Sequence, residues 1–218
     1  MGIIKRGILG GVANKIGNVV GSSWKGIATL RSLPLSVANP RTIAQRENRD
    51  SFSIFSKLGS KVLATVCQPL WNRDAKQMSG FNAYVMYNKR AYDADVATWL
   101  GNPIMSKGIL SAPLESASIN EVENRIDITY STDLLNPQDT DDDEAYVQLI
   151  HQNNQDPNKP VYDAKGYYTT APRRAGSIYV PTTFDLNEGD RLIVSLSFKS
   201  ADGREVATSS SRVITISE

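Results

Sequence analysis

One histidine and one cysteine bound the chemistry open to this 218-residue chain. His151 closes an alternating run, Ala145-Tyr146-Val147-Gln148-Leu149-Ile150. A single imidazole excludes zinc sites built on two or three histidines of one chain. Serines and aspartates are plentiful, so a Ser-His-Asp arrangement stays open. No Gly-x-Ser-x-Gly elbow precedes a helix, however, and His151 reads as a strand residue. Cys67 alone excludes an intrachain disulfide and a thiolate cluster, and beside Leu63 and Val66 it reads as a small buried hydrophobe. The densest acidic cluster is Asp139-Thr140-Asp141-Asp142-Asp143-Glu144. Its oxygens could bind calcium, but it lacks the glycine and glutamate spacing of an EF-hand loop. It reads as a solvated loop between strands, because clustered like charges usually face water. Gly7-x-x-Gly10-Gly11 is not followed by the Gly-Lys-Ser/Thr of a phosphate loop, nor preceded by a strand. No constellation points to a reaction, and the expectation is a non-enzyme with no metal or cofactor.

Charge is the stronger signal. Residues 1–107 carry fifteen Lys/Arg and five Asp/Glu, a net of +10, whereas residues 108–218 carry nine and eighteen, a net of −9. A near-neutral whole thus conceals a basic half and an acidic half. Such a bipolar molecule attracts its own copies or faces an anion at one end. Trp24, Lys25, Arg31, Arg41, Arg46 and Arg49 are the candidate interaction residues, the tryptophan as a buried anchor and the cations as its electrostatic frame. The same cations could neutralise phosphates. They are dispersed, though, and no nucleic-acid module is recognisable, so copies of the chain or other particle proteins are the favoured partners over nucleic acid.

The elements that must position these residues fall into three stretches. Residues 1–38 are basic and punctuated by glycine, and read as a two-stranded ribbon turning near residues 21–23. Isolated two-stranded ribbons are marginal in water, so such an arm needs a surface to lie on. Residues 39–105 read as helical. Thr42 and Gln45 form a capping-box pattern, and Phe52, Phe55, Leu58, Val62 and Val66 form one apolar stripe. Pro69 is expected to stop that helix, a second is expected from Ser79, and Trp71 should fill their crossing. From 106 to 218 the period changes to two, with strands expected at 117–121, 125–130, 145–152, 159–163, 177–180, 191–200 and 205–217. Leu192, Val194, Leu196 and Phe198 alternate as if one face were buried and one wet, and Asp202-Gly203 signals a hairpin. The predicted class is α+β: an N-terminal β-ribbon arm and two-helix segment, then an immunoglobulin- or fibronectin-like antiparallel β-sandwich. No run approaches 18 apolar residues, so no helical membrane span is expected.

Several local patterns in the first 90 residues coincide with a known group. They are Met1-Gly2-Ile3-Ile4-Lys5-Arg6-Gly7-Ile8-Leu9-Gly10-Gly11, Gly17-Asn18-Val19-Val20-Gly21-Ser22-Ser23-Trp24-Lys25-Gly26-Ile27, Arg31-Ser32-Leu33-Pro34 and Thr42-x-x-Gln45-x-x-x-Arg49. Through these the chain resembles an uncharacterised family of Bacteroidota and their phages, a domain of unknown function. A looser resemblance to phage and prophage proteins runs through Asn39-Pro40-Arg41-Thr42, Ala44-Gln45, Phe52, Trp71, Met78-Ser79 and Phe81-Asn82-Ala83-Tyr84. The family usually carries proline where this chain has Ile43. The resemblance implies a phage-derived setting and no catalytic residues. The expected function is therefore a structural protein of a phage or phage-like particle, made in the host cytoplasm and resident in the virion. The alternatives are a cell-surface binding module and a cytoplasmic nucleic-acid binder.

Overall fold

The computed structural model describes residues 3–4, 12–24, 27–36, 41–73, 75–89, 92–93, 98–99, 103–153 and 161–216. Its first elements form a meander. β1 (Ile3–Ile4), β2 (Val12–Ile16), β3 (Val19–Trp24) and β4 (Ile27–Ser32) pair antiparallel in that order. The arm is thus a four-stranded sheet, not the two-stranded ribbon expected. The β2–β3 turn falls at Gly17-Asn18, where Gly17 adopts φ +56°, open to a residue without a Cβ. β3 runs through the turn expected at residues 21–23, with Gly21 paired to Asn14 and Leu30. Gly-Ser-Ser reads as a turn by composition, yet a glycine also lets strands pass closely.

Helix α1 (Ile43–Lys61) starts as expected, with the Thr42 hydroxyl accepting from the Gln45 N–H at 3.3 Å. The return half of the capping box is not formed, since the buried Gln45 Oε1 makes no hydrogen bond. The apolar stripe holds at Phe55, Leu58, Val62 and Val66, but Phe52 is 53% exposed and lies off it. Pro69 does not end the helical path. From Leu63 to Trp71 the chain continues as a π-helix, with Cys67 N–H donating to the Val62 carbonyl at 3.1 Å. Proline in an α-helix clashes with the carbonyl four residues earlier; the wider i→i+5 turn displaces that carbonyl and leaves room for the ring.

Helix α2 (Gly80–Lys89) follows, with the Ser79 hydroxyl accepting from Asn82 N–H at 3.2 Å. Trp71 fills the crossing as expected. It meets Tyr84 edge-on at 6.5 Å and Tyr87 at 5.1 Å, and its indole N–H donates to the Met105 carbonyl at 2.6 Å. Two short strands, β5 (Tyr92–Asp93) and β6 (Thr98–Trp99), pair with each other. Asn88, fully buried, then ties α2 to the onward chain: its side chain donates to the Tyr84 and Ile104 carbonyls and accepts from Ile104 N–H.

Seven strands make the carboxyl-terminal half. They are β7 (Leu114–Asn120), β8 (Arg125–Tyr130), β9 (Glu144–Asn153), β10 (Val161–Pro172), β11 (Ser177–Pro181), β12 (Arg191–Lys199) and β13 (Ser210–Thr215). One sheet has the order β11-β8-β7 and the other β10-β9-β12-β13, all pairs antiparallel. A three-stranded and a four-stranded sheet packed face to face form the fibronectin-like sandwich that the spacing predicts. The expected strand at 159–163 begins outside the described residues and runs on to Pro172. Polar residues and Gly166 hide its length, and Gly166 is there for space. A Cβ on it would stand 2.1 Å from the Thr65 hydroxyl, where the π-helix crosses the sheet. The turn at Asp202-Gly203 is as expected, with Gly203 at φ +75° and its N–H on the Ser200 carbonyl.

The helices pack on the outer face of the four-stranded sheet, so the molecule has three layers and two cores. Phe55, Leu58, Val62, Val66 and Tyr84 meet Tyr146, Ile150, Ala164 and Ile193 in the first core. Ile126, Ile128, Ile178 and Val180 meet Val147, Leu149, Leu192, Val194, Leu196 and Phe198 in the second. This corrects the one-sided reading of β12. Both of its faces are buried: Ile193 packs in the first core, and Ser195 and Ser197 are held by β13 and by the segment before β7. Those serines mimic a wet face in sequence, yet both are buried and their hydroxyls bond other serines, Ser197 with Ser106 at 2.6 Å and Ser195 with Ser211 at 2.9 Å.

Candidate functional site

Antiparallel pairing sets which arm residues share a row. Lys15 pairs with Val20, and Val20 with Arg31, so two cations flank a valine across β2, β3 and β4. Trp24 pairs with Ile27 at the far end of the β3–β4 ladder. The side chain of Trp24 and the whole of Lys25 lie outside the described residues. Arg31 is exposed, as are Arg41, just before α1, and Arg46 and Arg49 on its first turns. The candidate residues therefore belong to two elements: a row on the sheet, and the start of α1.

What distinguishes the arm is its burial. Apart from Gly21 and the half-buried Val19 and Val20, the described residues from Asn14 to Ser32 are exposed. Ile16, Ile27 and Leu30 stand in water, Leu30 66% exposed. Leu30 lies in the register row of Asn14 and Gly21, and Ile27 in the alternate set of rows, so apolar residues occur on both faces of the sheet. Internal hydrogen bonds hold this meander, among them Ser22 to Thr29 at 2.7 Å across β3 and β4.

The acidic cluster is divided by the fold. Asp141 and Asp142 face water, as a solvated loop should. Asp139 and Asp143 turn inward onto Arg173, whose side chain is fully buried. The guanidinium lies 3.1 Å from Asp143 Oδ2 and 3.5 Å from Asp139 Oδ1, donates to the Ser111 carbonyl at 2.8 Å, and sits 4.3 Å from the centre of the Phe198 ring. Asp139 in turn accepts from the Ser111 N–H and hydroxyl and from Asn136 N–H. Burial alone would raise the Asp139 carboxyl, but these hydrogen bonds and the arginine charge outweigh it and hold it below its ordinary value. The space between these two carboxylates is thus filled by the chain's own guanidinium, and among the described residues no group of three or more His, Cys, Asp or Glu is placed to hold a metal. Sequence alone had no signal for this. Arg173 lies thirty residues beyond Asp143, and Pro172 and Arg174 beside it suggest a surface turn.

His151 is a β9 residue, as expected. Its Nε2 lies 2.9 Å from the buried Asp190 Oδ2, which also accepts from Asn187 N–H, so the pair fastens the loop before β12. The β12 hydroxyls bond other serines instead, as described above, so the described contacts assemble no triad. Cys67 is buried, with its thiol 3.6 Å from the Gly59 carbonyl, and desolvation pushes it up to about 12. At pH 8 it is expected to resist a thiol reagent such as DTNB while the protein is folded, and to react at once in denaturant. Rapid labelling of the native protein would show that the helical layer opens readily.

No curated protein matches the chain. Among solved structures it is similar to the third fibronectin type III domain of the human KIAA0343 protein, at 9% identity and a TM-score of 0.32, over 50% of this chain and 85% of that one. The sandwich assignment itself rests on the strand order and registers given above. Residues 9–212 match a family described only as a family of unknown function (DUF6266), which spans the arm, the helices and the sandwich alike, and the chain belongs to that family.

Proposed function

We propose that this protein is a non-enzymatic structural protein of a phage or phage-like particle, assembling through its basic N-terminal sheet. The observation that carries the reading is the arm with apolar side chains in water on both faces. A sheet gains independent stability by burying one face, and this one leaves Ile16, Ile27 and Leu30 uncovered. A neighbouring subunit supplies the cover. Lys15 and Arg31, aligned across the sheet, steer the arm toward the acidic half of another copy. The sandwich is then the part that is presented. The particle setting, with manufacture in a host cytoplasm, rests on the resemblance of the first 90 residues to phage proteins.

Sedimentation velocity of the full chain tests the arm. At low salt the wild type is expected to exceed the mass of a dimer. In about 1 M salt, where the Debye length falls to roughly 3 Å, it should dissociate in part. Ile27→Ser/Leu30→Asp should abolish that higher association and leave the sandwich folded. Unchanged association in this variant would remove the arm from the assembly. Salt-sensitive binding to random DNA by the unassembled chain would favour the nucleic-acid reading instead.

A further inference from the structure

A cleft of about 540 Å³ opens between the end of the π-helix, α2 and the segment leading to β7. Trp71, Met78, Met86, Tyr87 and Ile109 give it an apolar lining, with Lys76 and Lys107 beside them. Lys107 Nζ lies 5.0 Å from the centre of the Tyr87 ring, and Ile109 is half exposed. Neither lysine has a carboxylate partner among the described residues, whereas the neighbouring Arg73 is paired with Glu205 at 2.9 Å. Aromatic rings and thioethers accommodate apolar side chains of many shapes. Two ammonium groups at the same opening, without a carboxylate partner among the described residues, call for carboxylates next to those side chains.

The chain carries such a segment itself. Between β8 and β9, Leu134 and Leu135 are 50% and 64% exposed, adjacent to Asp133 and in the same loop as Asp141. Neither aspartate has an ion-pair partner among the described residues. The loop is held in one shape by the buried Arg173 cluster: Asp139 accepts from Asn136 N–H at 2.9 Å, and Asp143 accepts from Thr140 N–H at 3.0 Å. A loop fixed before binding loses little conformational freedom on docking. Its leucines nonetheless stand in water and do not fill the chain's own cleft.

We infer that the cleft beside Trp71 receives the Leu134–Leu135 loop of a second copy of this chain. The arm is a poor occupant, since its cations would meet Lys76 and Lys107. The loop brings two aliphatic side chains to the apolar lining and two carboxylates to the lysines. Lys107 and Ile109 line the cleft, and Ser111, two residues beyond, grips Asp139 of the loop. Cleft and loop therefore flank one short segment. A two-fold axis beside that segment places each loop in the other copy's cleft, a self-complementary contact that closes at a dimer. This contact is separate from the arm contact and does not depend on it.

The experiment is sedimentation equilibrium at low salt in the Ile27→Ser/Leu30→Asp background, so that any arm-driven association is removed. The expected species is a dimer. Leu134→Asp/Leu135→Asp and, separately, Lys76→Glu/Lys107→Glu should each weaken dimerisation about tenfold or more. All four positions lie at the surface or the cleft mouth, and equal urea midpoints would verify that each variant is folded. Mixing the Lys76→Glu/Lys107→Glu chain with an Asp133→Lys/Asp141→Lys chain should restore a heterodimer, since reversed charges attract again. A monomer in the arm-variant background overturns the inference, as does a dimer indifferent to both sets of changes. Saturable binding of octanoate to a chain that stays monomeric would overturn it in favour of a small-molecule pocket. Persistence of the dimer in the arm variant, with loss of larger species, leaves the arm reading intact; the reverse pattern separates the two.

Discussion

Arg173→Ala is expected to destabilise the protein by about 3–5 kcal/mol, the cost of breaking a buried ion cluster by removing one partner. The change strands two carboxylates, Asp139 and Asp143, whose side chains are fully buried. It also deletes the donor to the Ser111 carbonyl and the cation over Phe198. Urea unfolding at pH 7 measures it as a lower midpoint, and a loss below about 1 kcal/mol would mean that water or a relaxed loop solvates the carboxylates. Arg173→Met with Asp139→Asn and Asp143→Asn should recover part of the loss, because the buried charge is gone. The pH dependence has a fixed sign. Asp139 titrates below its ordinary value, so its ionised form contributes stability above the unfolded value near 4. That stability is lost as the pH falls through the lower folded value. In Arg173→Ala, Asp139 lacks its cation and takes up a proton more readily. The gap between variant and wild type therefore narrows as the pH falls.

Trp71→Ala is expected to cost about 3–5 kcal/mol as well, by a different route, since a large aromatic is removed from a packed interior. Trp71 is 2% exposed and touches both Tyr84 and Tyr87. Without it the π-helix loses its grip on α2, and the Met105 carbonyl loses its indole donor. Trp71→Phe should cost much less, as it keeps most of the packing and forfeits one hydrogen bond of about 1 kcal/mol. Thermal unfolding of the two variants separates packing from hydrogen bonding. Equal midpoints for both would assign the whole effect to the indole N–H.

The sandwich was legible because β8 and β11 do bury one face and wet the other, so Ile126, Ile128, Ile178 and Val180 display the period plainly. β12 misled for a chemical reason: Ser195 and Ser197 look solvent-facing, and only the fold shows that their hydroxyls pair with Ser211 and Ser106. The arm was legible as an extended, glycine-punctuated segment, but its strand count depended on a turn at Gly17-Asn18 that composition ranked below Gly21-Ser22-Ser23. Of the candidate site, exposure at Arg31, Arg41, Arg46 and Arg49 follows from charge alone. The row joining Lys15, Val20 and Arg31 needed the register. The division of the acidic cluster needed the fold, since no local pattern announces that Arg173 reaches back thirty residues.

The sharing of the four-stranded sheet between two cores sets an order of events during synthesis. Phe55, Leu58, Val62 and Val66 leave the ribosome long before Tyr146, Ile150, Ala164 and Ile193, the sheet residues that share their core. At roughly 5–20 residues per second the nascent helices wait for seconds with their apolar stripe uncovered. Slowing translation after α2 should therefore lower the soluble yield, and a trigger-factor-type chaperone that shields apolar nascent segments should raise it.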